Sequence, residues 1–260
     1  MKGETVLVRK VRSITILGVL IALVMSCLGC SGNLSAAKQE SPIKISTEEI
    51  KENKDNLELS LKIPVLSEMK DEKLQQSLNE RFRNLFLQRR DEMLAEKEEM
   101  DKELDEEDKD NPFADIPYGL ASDYKVTYNN NGLLSFYFDK YEFTGGAHGM
   151  TYRMPCNIDL RDGSELELSD IFKPDSNYED LIDKAIQAEI AKNPEGYFEP
   201  EMGGFKGIED DQTFTLQPGG ITIYFQLYDI APYAAGIPEF KIPFSEFGDM
   251  VNPELQKRLE

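Results

Sequence analysis

The chain has 260 residues, 40% of them hydrophobic and 10% aromatic. That is enough for one large or two small domains with a real core, and it excludes disorder by composition. Twenty-nine Lys and Arg stand against 49 Asp and Glu, a net charge of −20 that would repel phosphates and argues against nucleic acid as a partner. One His and three Cys leave too little for a His/Cys metal site, and nothing points to a cofactor.

Residues 1–29 read as a lipoprotein-type signal peptide. Lys2, Arg9, Lys10 and Arg12 form a basic start, and Ser13 to Met25 is an almost unbroken apolar run. The run is shorter than the roughly 20 residues a membrane-crossing helix needs. It ends in Ser26-Cys27-Leu28-Gly29-Cys30. This ending resembles a bacterial lipoprotein signal, in which a small residue precedes a Cys that is diacylated. Cys30 is the favoured lipidation site, with Cys27 as the alternative and an uncleaved signal anchor as a third reading. All three put the rest of the chain outside the cytoplasm, on the extracytoplasmic face of the cell membrane. Residues 1–29 carry four basic side chains and one acid, so the remainder stands at −23. Lipidation of Cys30 would leave Cys156 as the one free thiol, expected to be buried and inert in a strand. Residues 30–42 form a small, polar tether.

A first α+β segment is expected over 43–115. Ile43–Ile50 and Leu57–Val65 read as strands; Leu57, Leu59, Leu61, Ile63 and Val65 share one face at period two. A long helix follows, with Leu74, Leu78, Phe82, Leu85, Phe86, Met93 and Leu94 recurring at three and four. It runs into the charged stretch 96–110, expected to be a solvated helix end. Asp108 and Asp110 lack the spacing, central Gly and closing Glu of a calcium loop.

A second α+β domain is expected over 116–250. Tyr124, Val126 and Tyr128 alternate, turn at Asn129–Gly132, and return through Leu134, Phe136 and Phe138. Then come Gly145-Gly146-Ala147-His148-Gly149, a strand through Tyr152, Met154, Cys156 and Ile158, and a turn at Asp162-Gly163 leading to Leu166 and Leu168. Ser176 with Glu179 has capping-box spacing and predicts a helix through Ile190. Strands at Phe214–Leu216, Ile221–Leu227 and Phe240–Phe244 precede a short helix and a polar tail over 251–260. The fold class is α+β, with antiparallel sheets and two main helices.

Three stretches carry a family resemblance: YEFTGGAHGMT at 141–151, NIDLRDGSELELSDIF at 157–172 and ITIYFQLYDIAPYAAGIPEF at 221–240. In that order they resemble the extracytoplasmic domain family shared by lysozyme-sensing anti-sigma factors of the RsiV type and the N-terminal region of PdaC-type peptidoglycan deacetylases. The resemblance covers roughly 40–250 and implies an exported binding module. Only twelve residues precede the apolar run, so no cytoplasmic sigma-binding domain is expected, nor is a polysaccharide-deacetylase domain.

The function expected is therefore non-enzymatic binding at the cell surface, with a basic protein such as lysozyme, or cell-wall glycan, as partner. A chain at −23 would draw a cationic protein by long-range attraction. The alternative is a cell-wall hydrolase. Its two-carboxylate requirement is uninformative among 49 acids, and His148, the single His, has no nucleophile elbow beside it. Candidate binding residues are Gly145, Gly146, His148 and Gly149 in one loop and Tyr233 in the Pro232–Gly236 loop. Tyr233 offers a large contact area and a hydroxyl.

Overall fold

The structure is a computed structural model that describes residues 40–54, 56–103 and 116–259. The signal segment with Cys27 and Cys30, most of the tether, and the acidic stretch 104–115 lie outside the described residues. Among the described residues, no helix is long and apolar enough to cross a membrane.

Strand β1 (Lys44–Lys54) forms a hairpin with β2 (Leu57–Ser67), and α1 (Glu72–Glu103) follows. Asp71 starts that helix: its carboxylate accepts from the backbone N–H groups of Lys73 (2.9 Å) and Leu74 (3.0 Å), an N-cap worth about 1 kcal/mol. Leu78, Phe82, Phe86 and Met93 form the buried stripe of α1. Leu85, expected on that stripe, is exposed instead; the fourfold steps from Leu78 to Phe86 turn it to the side. The helix also continues through 96–103, exposed as a solvated end over 96–102 except at Lys97, which is buried beside Asp101.

Strands β3 (Tyr118–Asn130), β4 (Leu133–Phe143) and β5 (Met150–Asp159) complete a five-stranded sheet in the order β1-β2-β3-β4-β5. The α+β class holds, with one pairing that is not antiparallel: β2 and β3 run parallel. A helix of 32 residues between them spans the sheet and returns the chain to the end it left, which parallel pairing requires. One face of the sheet packs on α1. Phe136 and Phe138 meet Phe82 and Phe86 edge-to-face, with Phe82–Phe136 centroids 5.2 Å apart and Phe86–Phe138 5.0 Å apart.

The other face carries a three-stranded antiparallel sheet, β6 (Phe214–Gln217), β7 (Gly220–Tyr224) and β8 (Glu239–Pro243). Side chains join the sheets where a ladder cannot. Ser135 accepts from the Leu216 N–H (2.9 Å) and donates to Asn157 (2.7 Å), which donates to the Phe214 carbonyl (2.9 Å). Helix α2 (Tyr178–Ile190) covers this second core with Ile182 and Ile186, each fully buried and worth about 1.5–3 kcal/mol of transfer. Its cap differs from the expected box. The Ser176 hydroxyl donates to the Lys173 carbonyl, so Asn177 stands at the N-cap. The turn at Asp162-Gly163 forms, but the return pairs only through the single bridge Ile158–Glu165.

The expected boundary near 115 is crossed by the sheet, since β2 and β3 are neighbours. The division is one of cores: the α1 side gathers residues 57–158, and the second core gathers Tyr128, Leu133 and residues 168–259. The expected polar tail is a further correction. After the short helix α3 (Phe244–Phe247), Pro253–Leu259 forms α4, whose Leu255 and Leu259 fall one turn apart and are buried in the second core.

Candidate functional site

Two loops meet beside β5. The first, residues 144–149, joins β4 to β5. Gly145 (φ +100°) and Gly146 (φ +89°) sit in the left-handed region that L side chains avoid, which lets the chain reverse with His148 exposed near its end. Gly149 is needed for a different reason. It is buried, and a Cβ there would lie 2.4 Å from Tyr141 Cζ and 2.5 Å from the Glu142 carbonyl oxygen.

The second loop, residues 226–236, runs from β7 toward β8. Its Tyr233–Ala235 turn is closed by Ala235 N–H to the Pro232 carbonyl (2.8 Å) and Gly236 N–H to the Tyr233 carbonyl (3.0 Å). This places the Tyr233 ring against His148, with centroids 4.5 Å apart and planes tilted by 31°. The Tyr233 hydroxyl donates to the Gly149 carbonyl (3.2 Å), and His148 Nδ1 lies 3.0 Å from the same oxygen. A carbonyl can only accept, so this last contact is a hydrogen bond when Nδ1 carries the proton, which leaves Nε2 the acceptor of the neutral ring.

All five residues expected from the sequence are thus brought together: Gly145, Gly146, His148 and Gly149 on one loop, and Tyr233 packed on it from the other. Sequence reasoning missed Tyr228. Its ring is tilted 5.6 Å from that of Tyr233, its side chain is exposed, and its backbone holds φ +71°, an unusual value for a bulky residue. No residue-level signal marks that backbone angle. Tyr141 was also passed over; it covers Gly149 and remains 37% exposed, so it borders the same surface.

The strands beneath the loops are tied together by ion pairs. Arg153 of β5 is buried between the sheets, gripping Asp139 with Nε (2.7 Å) and Nη2 (2.8 Å) and pairing Glu239 of β8. Its guanidinium lies 3.9 Å from the centroid of the Tyr137 ring. Glu142 is held below the usual carboxylate range; burial alone would raise it, but hydrogen bonds from Arg89 and Lys140 outweigh that.

Nδ1 of His148 is engaged at Gly149 and its ring packs on Tyr233, while Nε2 stays open. Cys156, the one cysteine among the described residues, is half-buried and its thiol is pushed up to about 12 by burial, which Arg81 only partly opposes. Such a thiol is a poor nucleophile at neutral pH. From Asp162 to Asp211 the sequence holds 15 Asp and Glu against four Lys and no Arg, and the end of this run reaches the second loop. A cleft of about 470 Å³ opens beside the second loop, with Glu209, Asp211 and Asp229 among its lining residues.

Comparison with known proteins finds relatives over most of the chain. Residues 50–151 match the family described as Deacetylase PdaC, and residues 169–245 match a protein family of unknown function, DUF3298. The chain is 28% identical over 203 residues to the anti-sigma-V factor RsiV of Bacillus subtilis, covering 75% of this chain and 66% of that protein. It is 26% identical over 138 residues to the peptidoglycan-N-acetylmuramic acid deacetylase PdaC of the same organism, covering 52% of this chain and 30% of the deacetylase. A DUF3298-family crystal structure from Bacteroides fragilis superposes with a TM-score of 0.67 at 22% identity, covering 84% of this chain and 97% of its own. One from Pseudomonas aeruginosa gives 0.60 at 19%, covering 83% and 97%.

Proposed function

Because this chain belongs to the domain family shared by RsiV and PdaC, carrying a PdaC-type and a DUF3298 domain, we propose that it is a non-enzymatic binding module of the bacterial cell surface. Its partner is a basic protein such as lysozyme, docked on loops 144–149 and 226–236. The observation that carries this reading is the packing of His148 on Tyr233, which makes one exposed aromatic surface out of two loops 84 residues apart. Tyrosine supplies rigid contact area with a polar end, the composition of interface hot spots. Glu209, Asp211 and Asp229 beside the second loop add attraction for a cationic partner. Cell-wall glycan is the second reading, favoured by the kinship with a peptidoglycan deacetylase.

The test is pull-down of the full chain, solubilised in detergent, with hen lysozyme and separately with purified peptidoglycan. His148→Ala and Tyr233→Ala are each expected to weaken capture by roughly 1 kcal/mol or more while the variants keep their melting temperature. Affinity for lysozyme should fall as salt rises from low to physiological strength. Unchanged affinity in both folded variants would remove the loops from the interface. Turnover of peptidoglycan that one carboxylate substitution abolishes would establish the wall-hydrolase alternative.

The module is held to the membrane, in this proposal, by a lipid on Cys30. Clickable palmitate should label the wild type and leave Cys30→Ala unlabelled. Label that survives there but vanishes in Cys27→Ala moves the anchor to Cys27, and no label at all favours a signal anchor.

A further inference from the structure

β5 is an outermost strand of the five-stranded sheet, so alternate residues turn their backbone groups away from β4 with no strand to receive them. Side chains and loops cover that edge. The Gly149 carbonyl, at the start of β5, takes the Tyr233 hydroxyl. Pro155 has no N–H to offer, and the Asn157 carbonyl takes the Leu166 N–H (2.8 Å). At Arg153 the cover is complete: its N–H donates to Gln226 Oε1 (2.9 Å) and its carbonyl accepts from Gln226 Nε2 (2.8 Å). A primary amide presents its oxygen as acceptor and one of its two N–H groups as donor side by side, so Gln226 makes the pair of bonds that a residue of a sixth strand would make.

Gln226 also opens the loop that holds the aromatic surface. Its own N–H donates to Asp229 Oδ2 (2.6 Å), and its carbonyl accepts from the Asp229 N–H (3.2 Å). Tyr228, at φ +71°, is held inside that closed turn. The backbone of the loop is therefore fixed at Gln226, bent at Tyr228, and fixed again where Tyr233 reaches Gly149.

We infer that Gln226 is the positioning residue of the binding surface: its side-chain amide substitutes for a strand partner at the open edge of β5 and so sets where Tyr228 and Tyr233 stand beside His148. The inference rests on the reading of these loops as the interface, and its test separates the two.

Hydrogen exchange reads the latch directly at the Arg153 amide, and capture of hen lysozyme by the full chain in detergent reads the surface. In Gln226→Ala the protection factor of the Arg153 amide should drop about tenfold, the loss expected for one hydrogen bond, with lysozyme affinity falling about fivefold. Gln226→Glu adds a readout that loss of packing would not move. At pH 7 its carboxylate can accept from the Arg153 N–H but opposes the Arg153 carbonyl. Protonated, it again offers one acceptor and one donor. The undocked acid titrates near pH 4.3 and the docked one higher, because only the neutral form makes both bonds. Docking is then favoured below that range and lost as pH rises through it. The charged groups nearby are Asp229 on the loop, Lys206, Glu209 and Asp211 in the cleft that Gln226 also lines, and Arg153, whose guanidinium is already shared by Asp139 and Glu239.

Arg153 protection and affinity, each as a ratio to wild type at the same pH, should therefore recover in Gln226→Glu by about pH 4.5 and stay low in Gln226→Ala. Unchanged Arg153 protection in Gln226→Ala overturns the latch, as does a Gln226→Glu ratio that is flat with pH. Lost protection with unchanged lysozyme capture supports the latch and overturns the loops as the interface.

Discussion

Replacing Arg258 with alanine is expected to lower stability by about 3 kcal/mol, because it strands a buried carboxylate. Asp159 is 5% exposed at its side chain and Arg258 13%. The guanidinium donates to both carboxylate oxygens (2.6 and 2.9 Å) and to the carbonyls of Asn131 (3.0 Å) and Gly132 (2.8 Å). The Arg258 carbonyl in turn accepts from Tyr128 Oη and Asn131 Nδ2, both at 2.9 Å. Arg161 also reaches Asp159 but is 63% exposed, and it softens the loss rather than cancelling it. In a chain of this size the change should appear as a fall of roughly 6–10 °C in Tm. Lys257→Ala, which removes only an exposed partner of Glu254, should leave Tm unchanged.

The pH dependence has a defined sign. Burial alone would raise the Asp159 pKa, yet the Arg258 and Arg161 hydrogen bonds hold it well below the usual carboxylate range. A depressed folded-state pKa gives stability that is fully present above about pH 5 and is lost as pH falls through the unfolded value near 3.9 toward the folded one. Acid denaturation of Arg258→Ala should accordingly be shallower across that interval. A loss under 1 kcal/mol at pH 7, or an unchanged acid limb, would refute the clamp.

That clamp was the least legible part of the fold. The tail reads as polar because Pro253–Leu259 offers only two leucines among charged neighbours, and two apolar residues one turn apart are too few for a period to stand out. Long elements were legible for the opposite reason. β2 alternates from Leu57 to Ile63, and the buried α1 stripe repeats over about four turns from Leu78 to Met93. The parallel pairing of β2 with β3 leaves no mark in either strand, since it depends on where the helix between them returns the chain. At the candidate site the glycines and His148 were visible as a cluster, and Tyr233 as an aromatic among small residues. Their adjacency was not visible, because it is made by Gln226 and Gly149, whose work is done through backbone groups of distant strands.

Gly149→Ala is the variant in which that adjacency meets the fold most sharply, with an expected cost of about 3 kcal/mol, the upper end for overpacking. The added Cβ would sit 2.4 Å from Tyr141 Cζ and 2.5 Å from the Glu142 carbonyl. Tyr141 is exposed enough to swing away. Glu142 is not free to follow, because it lies opposite Met150 in the β4–β5 ladder and its carbonyl cannot retreat without opening that ladder. The Tyr141→Ala, Gly149→Ala double variant should therefore recover only part of the loss. Gly146→Ala makes the contrast: its Cβ meets nothing within 4 Å, and only the φ of +89° costs it, about 1 kcal/mol. Urea denaturation of the four proteins checks the order. The Gly149 carbonyl is also the acceptor for Tyr233 and His148, so moving it parts the two rings, and lysozyme affinity should fall by about tenfold or more even where the chain stays folded. A Gly149→Ala protein as stable as wild type would contradict the geometry beneath Tyr141. One that is destabilised but binds unchanged would leave the fold as described and remove the paired loops from the interface.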